Sequence, residues 1–167
     1  MNIFRSKPGS IIQIEDISLR MAYHKDIDLL FLWRNLPEIV ALGSSNKTVD
    51  SDEHISWLSR ILSDTNSRLY IICLDSKPIG QLRFDSISLI SSEISIFLIP
   101  GYTGCGYGSK AIKAGCKQVF KELSIHEIVA FVKNSNHTSG HFFKKVGFEI
   151  DDDGPQRPGH FRFNLNR

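Results

Sequence analysis

Cysteine is scarce: Cys73, Cys105 and Cys116 are the only three in 167 residues. An odd number with no metal-ligand spacing offers neither a full disulfide set nor a metal site, and reads as reduced thiols in a cytosolic protein. Charge of one sign is also lacking. Lys and Arg total 20 against 18 Asp and Glu, a net charge of +2. That is too small to call for a polyanion, and no Lys/Arg block forms a nucleic-acid patch. No apolar run approaches the length of a membrane span. "MNIFRSKPGS" carries basic residues without a following apolar stretch, so no signal peptide and no membrane partner are expected. Repeats, low-complexity tracts and linkers are absent as well. What remains is the composition of an ordinary globular protein, 41% hydrophobic and 23% charged, and fits one domain over 1–167 around one sizeable core.

Periodicity supplies the elements. "ISLRMAY" alternates Ile17, Leu19, Met21 and Tyr23 on one face, as a strand does. "KDIDLLFLWRN" has helical spacing, and Pro37 is expected to end that helix. In "TVDSDEHISWLSRIL", Asp50 and Glu53 fit a capping box ahead of a helix with Ile55, Leu58, Ile61 and Leu62 as its buried stripe. "RLYIICL" and "IGQLRF" flank "DSKP" as a hairpin, and "EISIFLI" follows as a strand. Beyond "GYTGCGYGSK" the period changes to that of a helix through Ala111, Ile112, Cys116, Val119, Phe120 and Leu123. "EIVAFV", a short helix ending at Gly147, the turn "DDDGPQRPG" and the strand "HFRFNL" complete the chain. The order β-α-α-β-β-β-α-β-α-β predicts a mixed α/β (α+β) sheet with helices on both faces.

Five of the twelve glycines fall within residues 101 to 115, between a strand and a helix. Glycine there lets an anion reach the free N–H groups of a helix N-terminus, where the helix dipole favours negative charge. A Walker loop is excluded, because no Gly-Lys-Ser/Thr stands at the required spacing. A dinucleotide loop fits loosely through Gly106, Gly108 and Ala111, although Glu127 opens the next strand where an acidic residue should close it. The third pattern is the pyrophosphate loop for coenzyme A, supplied by Thr103, Gly104, Cys105, Gly106, Tyr107 and Gly108. On spacing alone the last two stay open.

Two motifs together resemble the GNAT superfamily of acetyl-CoA-dependent N-acetyltransferases. The first is this loop, with Thr103 where Arg or Gln is usual. The second is Asn136, Ser139, Phe143, Lys145, Gly147 and Phe148, in the register of the family's Asn-x-x-Ala-x-x-x-Tyr-x-Lys-x-Gly-Phe. The resemblance spans roughly residues 17 to 165 and implies a mostly antiparallel sheet with splayed central strands. "WRNLPEI", "SDEHISWL", "PIGQLRFD" and "EISIFLIP" further resemble GNATs of nonulosonic-acid pathways, which acetylate an amino group on a nucleotide-linked sugar. Ribosomal-protein N-terminal acetyltransferases share parts of the pattern.

The resemblance implies roles residue by residue. Acetyl-CoA, without a metal, would lie against the main chain of Phe97, Leu98 and Ile99. The loop from Thr103 to Ser109 would hold its pyrophosphate, and Asn136, Ser139, Phe142, Phe143 and Lys145 would flank it. Asn136 could equally cap the last helix. A backbone N–H of Phe97 or Leu98 would polarise the thioester carbonyl. Glu93, on one strand face with Ser95 and Phe97, would be the general base, or else a solvated strand-end carboxylate. The family's proton-donating tyrosine is replaced by Phe143, which leaves His141, the Tyr107 hydroxyl or solvent. Trp33, Arg34, His54, Trp57 and Arg83 would line the acceptor side, with Lys47 nearby and His54 able to handle a proton. The tryptophans could fill the core instead. His137 and His141, four apart with no acidic or cysteine partner, read as solvated. The expected partner is a small-molecule or peptide amine, and the expected state a monomer or homodimer. A coenzyme A-binding module without catalysis is the rival reading.

Overall fold

The computed structural model describes residues 11–43 and 45–167, and the N-terminal segment read for a signal peptide lies outside them. Short turns build the first half of the sheet. β1 (Ile12–Ile14) and β2 (Ile17–Met21) form a hairpin around Glu15, whose φ is 49°. β3 (Arg68–Leu74) and β4 (Lys77–Ser86) are joined by Asp75 and Ser76, both at positive φ, the conformation of a two-residue turn that matches strand twist. β5 (Ser91–Leu98) pairs antiparallel with β4. After α4 (Tyr107–Glu122) the chain returns as β6 (Glu127–Lys133), then α5 (His137–Lys145), β7 (Glu149–Ile150) and β8 (His160–Asn166). The sheet runs β1-β2-β3-β4-β5-β6-β8-β7, and β5–β6 is its one parallel pair among the described residues.

Helices cover both faces. On one side α4 and α5 close over Ile72, Leu82, Phe84, Ile94, Ile128 and Phe163. On the other, α1 (Ile27–Arg34) and α3 (Ser51–Ser63) close over Leu69, Ile71 and Cys73. Asp50 caps α3, its Oδ1 accepting the Glu53 N–H at 2.8 Å. Pro37 does more than stop α1. It opens a further helix, α2 (Pro37–Leu42), at the position where a missing N–H costs nothing. β1 and β7, of three and two residues, are too short to show a period and join the expected strands at the sheet edges.

β5 follows β4 to its end, with Gly80 opposite Leu98, and β6 follows β8 to its end, with Lys133 opposite His160. Between β5 and β6 only Ser91–Glu93 pair with Glu127–Val129. Beyond Glu93 the two strands part. β4 carries one extra residue, Ile79, against Ile72 and Cys73, and a bulge of this kind bends its strand. Gly80 follows it and lets β5 come close. A Cβ at Gly80 would lie 3.0 Å from the Leu98 Cα and nearer still to the Phe97 carbonyl oxygen.

Gly80→Ala therefore has to push β5 off β4 just where β5 leaves β6. The expected loss of stability is about 1–3 kcal/mol, read from urea denaturation. An unchanged midpoint would show that the two strands separate there without cost.

Candidate active site

The parting of β5 and β6 leaves main-chain groups without strand partners. Ile99 N–H donates to the Ile79 carbonyl across β4 at 2.9 Å. Since N–H groups alternate sides along a strand, those of Leu98 and Ile96 turn the other way, into the gap. The Phe97 N–H faces β4, so of the two expected carbonyl-polarising groups the geometry offers that of Leu98. The chain leaves β5 through Pro100 and enters the glycine turn, where Gly101, Gly104 and Gly106 have φ of 93°, 78° and 85°. Gly106 is the N-cap of α4 in left-handed conformation, with no side-chain cap. The first-turn N–H groups of Tyr107, Gly108 and Ser109 therefore lack helical acceptors. Thr103, Gly104, Cys105 and Gly106 are exposed, and a Cβ at Gly104 or Gly106 would meet nothing within 4 Å. An open, uncapped helix start beside a strand with free N–H groups fits a diphosphate followed by an amide-bearing arm.

The sheet face toward α1 and α3 presents a polar floor. Gln81, Arg83 and Asp85 share that face of β4, opposite Phe97, Ser95 and Glu93 of β5. Arg83 Nε stands 2.8 Å from Asp85 Oδ2, and its guanidinium lies 5.5 Å from the centre of the Trp57 ring. Burial pushes the Asp85 carboxyl up, the Glu93 charge adds to that, and Arg83 opposes it. Glu93 is held by both oxygens: Arg157 Nη1 donates to Oε1 at 2.9 Å and Nη2 to Oε2 at 2.7 Å. The Arg157 guanidinium also lies over Phe131, 3.9 Å from its centroid. Phe131 is two residues past the last β5–β6 pair, so Arg157 bridges the mouth of the gap from one strand to the other.

Several residues expected at the site are used elsewhere. Trp33 is 4% exposed, packed edge-on to Phe97 at 6.2 Å, and belongs to the core between α1 and the sheet. His54 is 3% exposed, enclosed by Phe31 and Trp57. Its Nε2 donates to the Ile27 carbonyl at 3.1 Å, which ties α3 to the start of α1. Phe143 is 7% exposed among Phe142, Phe148 and Phe163; an aromatic lid on the core takes the place of a wall of the gap. Asn136 caps α5, its Oδ1 accepting the Ser139 N–H at 3.1 Å. Gly108 has a packing reason of its own, because a Cβ there would touch Phe142 Cζ at 3.3 Å and Ile96 Cδ1 at 3.9 Å. Those contacts also set Phe142 beside the start of α4 and the parting strand. Lys145 is exposed at the far end of α5, and Lys47 is exposed in the loop before α3. Arg34 lies beside the α2 end, with Nη1 buried and unpaired among the described residues. Trp57 and Arg83 stay half-buried at the floor.

Gln81, Asp85 and Arg157 escaped the sequence reading. A signal existed for the first two: "QLRFD" sets three polar residues on one face of a central strand. Arg157 lies in an irregular turn, and nothing in its neighbours points to Glu93, 64 residues away.

Comparisons with known proteins bear on the fold and the family. A family model described as an acetyltransferase (GNAT) domain matches residues 16–149. Acetyltransferase PseH of Campylobacter jejuni subsp. jejuni serotype O:2 is 28% identical over 130 residues, covering 77% of this chain and 80% of that protein. An acetyltransferase from Agrobacterium tumefaciens superimposes with a TM-score of 0.81 at 20% identity, over 100% of this chain and 99% of the other. Spermidine N-acetyltransferase from Vibrio cholerae, solved with CoA and spermine, gives 0.77 at 18% identity, over 92% and 96%. No helix of the described residues is long and apolar enough to cross a membrane.

Burial holds the His54 pKa below its ordinary value, assisted by the positive charge of Arg34 and opposed by the bond to Ile27. The unfolded histidine takes up a proton near pH 6.5 while the buried ring resists it. Its contribution is thus intact above about pH 6.5 and declines as pH falls from there toward the lower folded value. Urea midpoints taken between pH 7.5 and 5.5 should fall, and His54→Gln should flatten that slope. An identical slope in the variant would show that His54 is not the group responsible.

Proposed function

The chain belongs to the GNAT acetyltransferase family, and on that premise we propose that it transfers acetyl from acetyl-CoA to a primary amine on a nucleotide-linked amino sugar. The observation that carries the acetyl-transfer reading is the gap between β5 and β6, with the Leu98 N–H turned into it and the uncapped start of α4 at its end. The amino-sugar acceptor is supported by the four segments that resemble nonulosonic-acid acetyltransferases and by the similarity to PseH. Arg83 and Trp57 at the polar floor suit a nucleotide, with charge for phosphate and an aromatic face for the base.

Acetyl-CoA supplies the acetyl group as a thioester. The glycine turn from Thr103 to Ser109 takes the diphosphate, and the free edge of β5 at Phe97, Leu98 and Ile99 takes the pantetheine amides. Phe142, at the α4 start, forms the apolar side of that channel. The Leu98 N–H donates to the carbonyl oxygen as negative charge gathers on it. Glu93, oriented by Arg157 and facing Ser95 on the same strand face, receives the proton lost by the amine as its nitrogen bonds to the carbonyl carbon. The C–S bond breaks and the sulfur leaves as thiolate. Phe143 cannot protonate it, and a thiol with a pKa near 8.5 leaves without that help.

The absence of a hydroxyl at Phe143 also favours a second reading, a coenzyme A-binding module without turnover. Thiol release with a panel of amines separates the two. Release that is fastest with an amino-sugar nucleotide supports the enzyme; tight acetyl-CoA binding without release from any amine supports the module. Glu93→Gln should lower kcat/KM by about 10²–10⁴-fold, and unchanged kinetics would remove Glu93 from the mechanism. Gly106→Val, strained at φ 85°, should raise the acetyl-CoA Kd at least about tenfold, or ~1.4 kcal/mol. An unaltered Kd would mean that the turn holds no phosphate.

A further inference from the structure

Gln81 is 6% exposed in the middle of β4. Its neighbours Gly80 and Leu82 turn toward α4, while Gln81 faces the α1/α3 side with Arg83 and Asp85. The side-chain amide forms no hydrogen bond to any described residue, and its polar atoms do not belong to those fully sealed from solvent. A nearly buried amide with an opening and no partner is an unfavourable arrangement for stability alone. Its position gives it a use. Gln81 is the direct cross-strand partner of Phe97, the residue before Leu98, and partners in such a pair have Cα atoms about 5.5 Å apart. Of the polar residues on that face of β4, it is the one whose cross-strand partner adjoins Leu98. Arg83 and Asp85 stand farther along β4 toward Glu93.

We propose that Gln81 binds the acceptor beside the reacting amine. Its side-chain oxygen accepts an N–H of the attacking nitrogen, and its NH₂ donates to a hydroxyl on the adjoining carbon. A neutral amide that accepts and donates at once selects an amine flanked by a hydroxyl. This rests on the acetyl-transfer reading above and assigns the specificity of that site. The bond to nitrogen strengthens as that atom becomes cationic during attack, so both KM and kcat depend on it.

The test uses Gln81→Met, close in volume and unable to hydrogen-bond in this way, with Gln81→Leu as the second variant. Thermal midpoint, acetyl-CoA Kd by calorimetry, and thiol release with a hydroxyl-flanked amine are measured together. The expected result is a midpoint equal to or above the parent's, an unchanged acetyl-CoA Kd, and kcat/KM for that amine at least about tenfold lower. The variants should lose much less on a simple alkyl amine, which offers no hydroxyl. An unchanged kcat/KM, or an equal loss on both amines, would overturn the assignment. A lowered midpoint with unchanged acceptor kinetics would also overturn it, leaving Gln81 a structural residue. Lack of thiol release by the parent protein with every amine would overturn the acetyl-transfer reading, and this assignment with it.

Discussion

β5 cannot pair along its whole length with both neighbours. It stays in register with β4 to Leu98, while β6 stays in register with β8 to Lys133. Only three residues of each satisfy the other. A buried strand N–H without an acceptor costs about 1–3 kcal/mol, so a gap of this kind calls for a ligand or water along its free edge. Much else follows from it. The end of β5 is fixed by the bulge at Ile79 and by the close approach over Gly80. The glycine turn then brings the start of α4 beside that free edge, and places helix N–H groups where the strand N–H groups end.

The sheet keeps the two halves of the chemistry apart. Toward α4 and α5 it is apolar, and Ile96 and Phe142 shape the side on which the glycine turn opens. Toward α1 and α3 it carries Gln81, Arg83, Asp85, Glu93 and Ser95 on two adjacent strands. The Glu93–Arg157 pair with Phe131 beneath it joins the parted strands on that side. A bidentate pair with a stacked guanidinium is geometrically restrictive, so it fixes the orientation of the carboxylate. Charge on one face and apolar packing on the other suit a transfer in which donor and acceptor approach from opposite sides.

Local, repeated patterns were legible in the residues. Strand alternation, the helical stripe of α4 and the spacing within the glycine turn and within the Asn136 motif each depend on near neighbours in the sequence. They led to the sheet, the helices on both faces and the family. Burial was less legible. Trp33, His54 and Phe143 look available in the sequence because aromatic and imidazole side chains can serve a ligand or a core. The helix crossings that enclose them involve residues as distant as Phe97 and Phe163. Pro37 shows a related ambiguity, since the same ring that ends one helix starts another. Arg157 depended wholly on tertiary placement. Asp85 and Gln81 lay in plain alternation on β4, but their importance appears only once that strand is known to be covered on both faces.

The central claim is that the free edge of β5 receives the acyl donor, and residue-resolved amide hydrogen exchange at Leu98 tests it most directly. Ile99, bonded to Ile79 across β4, serves as the internal reference. The account predicts that Leu98 exchanges much faster than Ile99 in the free protein and becomes protected when coenzyme A is added, while Ile99 changes little. A Leu98 amide already protected without coenzyme A, or one whose exchange is unaffected by a saturating concentration of it, would contradict the account.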